Sequence, residues 1–231
     1  MPIKVRKERR RNIRYSITQK SINVLIPRGI IGRNTEDILS EVKQWAHTEF
    51  DQNPSLLNRF RVIVYTHGEF LRIFGQDFKL LIFEEQRKGL SGKVVQGKYI
   101  ELRVPAEVEQ DLLHKAIGQL LSRILSSYFH EAIVARVQAW NQKYYQEDIK
   151  SIRLKNNQSN WGSCSSRHNI NLSSRLLFAP LDVLDYVIVH ELAHLKEMNH
   201  SPRFWKIVRD VMPDYEDKEK WLKEWGHTLK F

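Results

Sequence analysis

A single cysteine, Cys164, occurs among 231 residues. It has no partner within the chain, so a disulfide framework is excluded and a reducing compartment is the expected home. Long apolar runs are also missing, and none approaches the length needed to cross a bilayer. The basic start (Lys4, Arg6, Lys7, Arg9, Arg10, Arg11, Arg14) is not followed by an apolar stretch of signal-peptide length. A soluble, cytoplasmic protein with no membrane partner is expected. Internal repeats are absent, and nothing beyond the basic start is of low complexity. The apolar share, 42%, is normal for a chain that buries a real core.

Acid is in deficit: 27 Asp and Glu stand against 37 Lys and Arg, a formal net charge of +10. Such a balance favours nucleic acid, anionic surfaces or acidic partners over long range. Its plainest reading is a solvated basic surface, and it says nothing about fold. The basic start alternates charge with Ile, Val and Tyr, as an edge strand guarded by charge would.

The first hundred residues carry period-two apolar spacing at 13–17, 22–27, 61–65, 78–83 and 99–104, with glycines marking turns between them. A helix is expected from Asn34 to about Phe50, where a capping residue precedes Ile38, Leu39, Val42, Trp45 and Ala46. From Pro105 the period becomes 3.6, through Leu112, Leu113, Ala116, Leu120, Leu121, Ile124 and Leu125, and again over 132–145. Short strands are expected at 151–155 and within 161–172. Helices should follow at 181–197, at 201–211 behind Ser201-Pro202, and at about 215–225. The fold class is α+β, with a strand-rich N-terminal domain (1–104) and a more helical C-terminal domain (105–231).

Within the 181–197 helix stands His190-Glu191-Leu192-Ala193-His194. Residues four apart on a helix share a face, so His190 and His194 present two imidazoles to one point, as zinc requires. Glu191 is placed beside the metal, where a carboxylate accepts a proton from water without being a ligand. Val183, Leu184, Val187 and Ile188 bury the helix and give the site rigid support.

A catalytic zinc needs a third protein ligand. The chain must turn back after the helix, and Asn199 tolerates the left-handed conformation that ends many helices. His200 is the expected third ligand; Glu197, Glu216 and Glu219 are the alternatives. His200 lies six residues after His194, as in metzincins, but Glu197 stands where that signature has glycine, so a metzincin is excluded. An apolar helix carrying two histidines and a glutamate inward leaves polar groups that one Zn2+ per chain would satisfy. His47, His67, His114, His130, His168 and His227 lack comparable partners and read as surface or satisfied core residues.

Together with this motif, Trp161-Gly162-Ser163-Cys164, Pro180, Asp185-Tyr186-Val187 and His200-Ser201-Pro202-Arg203-Phe204-Trp205 resemble the YgjP-like metallopeptidases, relatives of the SprT and WLM groups. The resemblance is specific from about Arg136 to Trp225. It implies a zincin-like domain in which the motif helix packs beside a small antiparallel sheet, with two histidines from the helix and one shortly after it as ligands. Its activity would be zinc-dependent peptide hydrolysis with Glu191 as general base, on a peptide or protein substrate. In zincins generally a strand beside the motif helix pairs with extended substrate; here that edge is the strand near Trp161 to Cys164 or near Asn169 to Ser173. The chain departs from the family at Asn160, where members often have arginine, and in lacking a tryptophan near Ser173 or Ser174. Cys164 reads as a small buried hydrophobe. Trp161, Phe204 and Trp205 read as core anchors around the site. Arg203, Tyr186 and Tyr215 are candidate oxyanion donors. Two alternatives are carried: a basic, nucleic-acid-associated zincin that processes DNA-bound protein, and an inactive metal-binding interaction protein.

Overall fold

The computed structural model describes residues 3–18, 21–29, 34–53, 63–229 and 231. The chain divides into two compact units, 1–61 and 62–231.

In the first unit, β1 (Ile3–Glu8), β2 (Arg14–Ile17) and β3 (Ile22–Pro27) form a mixed sheet in the order β1-β3-β2. Alternation along β3 turns Ile22, Val24 and Ile26 to one face, where they meet Ile38, Val42 and Ala46 of α1 (Thr35–Gln52). Asn34 caps that helix, its side-chain oxygen accepting from the main-chain N–H groups of Glu36 and Asp37. Such a cap is worth about 1 kcal/mol.

The second unit begins with a mixed four-stranded sheet of order β4-β5-β7-β6: β4 (Phe70–Ile73), β5 (Gln76–Glu85), β6 (Ser91–Val95) and β7 (Tyr99–Pro105). The strand expected at 61–65 begins outside the described residues, and its remainder is not extended into a sheet. There the Tyr65 N–H donates to His114 Nδ1 at 3.2 Å instead of to a neighbouring strand.

Two helices follow, α2 (Gln110–Tyr128) and α3 (His130–Trp140), the latter running into a π-helical turn at Asn141–Tyr145. Leu113, Ile117, Leu121 and Leu125 of α2 share one core with Phe78, Leu80, Ile100 and Leu102 of the sheet. The switch from strand to helix period at 104/105 therefore falls inside this unit, and the compact division comes at 61/62.

Beyond the π turn, β8 (Ser151–Lys155), β9 (Gly162–Cys164) and β10 (Asn169–Ser173) form a second sheet of order β8-β10-β9. The antiparallel arrangement holds for β9 and β10, while β8 joins β10 in parallel. β10 is central and β9 is an edge. Against this sheet lies α4 (Leu181–Ala193), buried nearly all round, then α5 (Pro202–Val211) and α6 (Tyr215–Trp225). No described helix is long and apolar enough to cross a membrane.

Candidate metal centre

Helix α4 ends at Ala193, four residues short of the periodicity, because the chain folds into a turn that returns toward the helix. The turn does not use a left-handed Asn199: among the described residues that backbone region is occupied elsewhere. Hydrogen bonds to the Ala193 carbonyl from Lys196 and Glu197, and from Ser201 N–H to the Asn199 carbonyl, shape it instead. Ser201 then caps α5, its hydroxyl accepting from Phe204 N–H, with Pro202 in the first turn. His200 is thus held between two fixed helix ends.

This path brings the ring nitrogens of His190, His194 and His200 within 4.8 Å of one another. Nε2 of His190 and Nε2 of His200 are 3.0 Å apart, and Nδ1 of His194 lies 3.1 Å from the Glu197 carbonyl, which turns its other nitrogen inward. A tetrahedral zinc holds nitrogens at about 2.0 to 2.1 Å, hence roughly 3.4 Å from one another; the observed spread brackets that spacing. Phe204, fully buried, lies 4.5 to 4.9 Å from all three imidazoles, and Trp205 stacks on His200 and on Tyr215. These rings form a rigid apolar floor, as anchors rather than polar contacts.

Burial and the two neighbouring imidazoles pull the His190 ring down to about 3, and burial lowers His194. Neutral imidazole, the ligating form, is therefore the stable one here. Burial pushes the Glu191 carboxyl up to about 8. One of its oxygens, Oε2, is buried without a hydrogen-bond partner, as is Nδ1 of His190. An orphaned carboxylate beside three converging imidazoles is what a bound cation would compensate, so the donor set fits zinc.

The place of Glu191 depends on a residue 29 positions earlier. A Cβ on Gly162 would press into Glu191 Oε1 and lie 2.7 Å from its Cγ, closer than real Cβ atoms approach anything. The missing side chain at 162 is the room in which Glu191 sits. In the sequence Trp161-Gly162-Ser163-Cys164 stands out by resemblance alone; the signal for this role is a glycine inside a strand, where close approach is the usual reason. Trp161 is held in turn by Gly226, where a Cβ would meet its ring at 2.5 Å, and by the Arg175 guanidinium 4.0 Å above it.

Helix α4 is clamped from behind. Asp185 accepts from Nε and Nη2 of Arg136 at 2.5 and 2.7 Å and from Trp140 Nε1 at 3.0 Å, while the Tyr145 hydroxyl donates to the Val189 carbonyl. The three alternative acidic ligands do not join the cluster. Glu197 faces Arg203 at 3.9 Å, Glu216 accepts from Tyr215 OH, and Glu219 pairs with Lys223. Of the remaining histidines, His67, His114, His168 and His227 engage main-chain groups.

No curated protein matches the chain. Two solved structures are similar to part of it, the metallopeptidase zymogens of Pyrococcus abyssi abylysin and Methanocaldococcus jannaschii jannalysin, at 20% and 22% identity. Each alignment covers 40% of this chain, and 93% and 94% of theirs, with a TM-score of 0.36 in both cases. The model of the YgjP-like metallopeptidase domain matches residues 11–225, almost the whole length over which the motif helix, its return turn and its flanking sheet are built, and the chain belongs to that family.

Proposed function

We propose that the protein is a zinc peptidase in which His190, His194 and His200 hold one zinc ion and Glu191 is the general base. The observation that carries this reading is the buried, unpartnered Glu191 carboxylate oxygen beside three converged imidazoles. Zinc, when bound, supplies Lewis acidity, polarising a carbonyl oxygen and making water acidic enough to deprotonate near neutral pH. Glu191 accepts the proton of the attacking water and returns it to the amine nitrogen as the peptide bond breaks. Its dry surroundings favour the protonated form, so it takes the water proton readily and passes it on to the more basic leaving amine. The aromatic floor keeps the imidazoles oriented through the cycle.

The free edge of β9 supports an extended peptide as substrate. Ser173 N–H bonds the Trp161 carbonyl and Ser165 N–H bonds the Asn169 carbonyl, so the odd-numbered residues of this stretch face β10. Gly162 and Cys164 consequently turn their main-chain groups outward, beside Glu191. The Asn160 amide donates to the Gly162 carbonyl at 3.0 Å, which leaves Gly162 N–H and both groups of Cys164 for main-chain pairing with substrate.

Metal content and hydrolysis of an unfolded protein substrate test the reading. Wild type should hold about one zinc and cleave, His200→Ala should lose both, and Glu191→Gln should keep zinc without cleaving. Full zinc with no cleavage by wild type would leave an inactive metal-binding protein; full zinc in His200→Ala would remove His200 from the ligand set.

A further inference from the structure

We infer that the outer face of the N-terminal sheet is a binding surface for the phosphate backbone of duplex nucleic acid. Residues 1–61 hold 13 basic and 6 acidic side chains, so a net +7 of the chain's +10 lies in about a quarter of its length. Within the unit the signs are sorted by layer. The described residues of the sheet and its turns carry eight Lys or Arg against one acid, Glu8, whereas α1 carries five acids against one base, Lys43. A solvated basic surface has no reason to segregate charge in this way; a unit that presents one face to a polyanion does.

The register places the cations. Arg6 lies beside Leu25, which lies beside Arg14; Lys4 lies beside Asn23, which lies beside Ser16. Cross-strand partners point the same way, so Lys4, Arg6 and Arg14 share the face opposite Ile22, Val24 and Ile26, the residues that pack on α1, with Glu8 at its margin level with Pro27 and Lys7 turned to the other face. All three are exposed. Strand spacing sets Arg6 and Arg14 about 10 Å apart across the sheet, flanking a central strand of half-buried Asn23 and Leu25.

The other side chains on this face choose among polyanions. Leu25 and Pro27 are its apolar members and both are half-buried, so it lacks the apolar side that inserts into a lipid interface. It also lacks the aromatic anchors around which protein partners dock. Tyr15 is turned to the other face, level with Val24, with its ring 5.4 Å from Trp45. Among the described residues this face therefore presents no ring for stacking on unpaired bases. Cations without apolar or aromatic anchors fit the regular phosphates of a duplex, read without regard to sequence.

Fluorescence anisotropy of the full-length chain with a labelled DNA duplex of arbitrary sequence, titrated over a range of salt, tests this. Wild type should bind at low salt with affinity that falls steeply as salt rises. Lys4→Gln, Arg6→Gln and Arg14→Gln combined should weaken binding at least tenfold and flatten the log–log salt slope by about 0.9 for each phosphate no longer neutralised. An equal neutralisation in the second unit, Lys93→Gln, Lys98→Gln and Lys115→Gln, should weaken it less than twofold. Unfolding temperatures matching wild type establish that both variants are folded, and Arg14→Gln alone should give an intermediate loss. Equal weakening by the two triple variants would reduce the effect to net charge and overturn the surface. Absence of duplex binding at low salt, or equal affinity for phosphatidylserine vesicles or polyglutamate, would overturn the nucleic-acid assignment.

Discussion

The helix α4 site and the N-terminal sheet use polar groups in opposite ways. Around α4 a few groups are buried, two of their atoms, Glu191 Oε2 and His190 Nδ1, are orphaned, and Glu191 has its place only because residue 162 has no side chain. On the N-terminal sheet many groups are exposed and alike, and what matters is their number and the face they share. Low dielectric magnifies a single misplaced group, whereas water and salt average over many exposed ones. A change of one atom should therefore be decisive in the first region and slight in the second.

The sharpest break of that comparison is Glu191→Gln, which keeps shape and hydrogen-bonding size but removes the proposed base. Peptide hydrolysis should drop by about 10³-fold or more with zinc content unchanged, measured by metal analysis beside initial rates. A next step is Gly162→Ala, a single methyl aimed at the Glu191 carboxylate. Displacing a reacting group by about 1 Å costs on the order of 10² in rate, and zinc should again be retained. The clash itself is measurable without activity: Gly162→Ala should lower the unfolding temperature of the chelated protein, and most of that loss should vanish in a Glu191→Ala background. An equal loss in both backgrounds would place the strain elsewhere.

A smaller effect is a slope of stability with pH. In the unfolded chain Glu191 ionises near 4.5, but in the folded, chelated protein it holds its proton up to about 8. The folded state then binds the extra proton, so stability attributable to Glu191 is complete below 4.5 and is lost as pH rises toward 8. His190 acts with the opposite sign, costing stability as pH falls from 6.5 toward about 3. Wild type minus Glu191→Gln isolates the first contribution, and zinc should flatten it by favouring the carboxylate. The smallest effect should come from the other region: neutralising Lys4, Arg6 and Arg14 together should leave cleavage of a short peptide within about twofold. A large loss there would mean the two regions do not act separately.

Much of the architecture was legible because it is local. The capped helix from Asn34, the period change at 105 and the pairing of His190 with His194 each need only a window of about ten to twenty residues. Failures came where a distant group decided the outcome. The main chain at Tyr65 is claimed by His114, far along the chain, and the end of α4 is set by a turn that main-chain hydrogen bonds and the α5 cap hold in place. Spacing could make His200 a candidate; it could not say that Phe204 would underlie all three imidazoles.

The sequence by itself determined the chemistry on offer: two imidazoles and a carboxylate at helical spacing, a third histidine within reach, and an excess of positive charge near the start. Periodicity and composition carry that information because they act between near neighbours. The tertiary structure alone decided that β9 rather than β10 is the edge, that Lys4, Arg6 and Arg14 share one sheet face, and that a glycine at 162 makes room for Glu191. Each of these is a contact between residues far apart in the chain, settled by how apolar faces close over one core and not by any local preference.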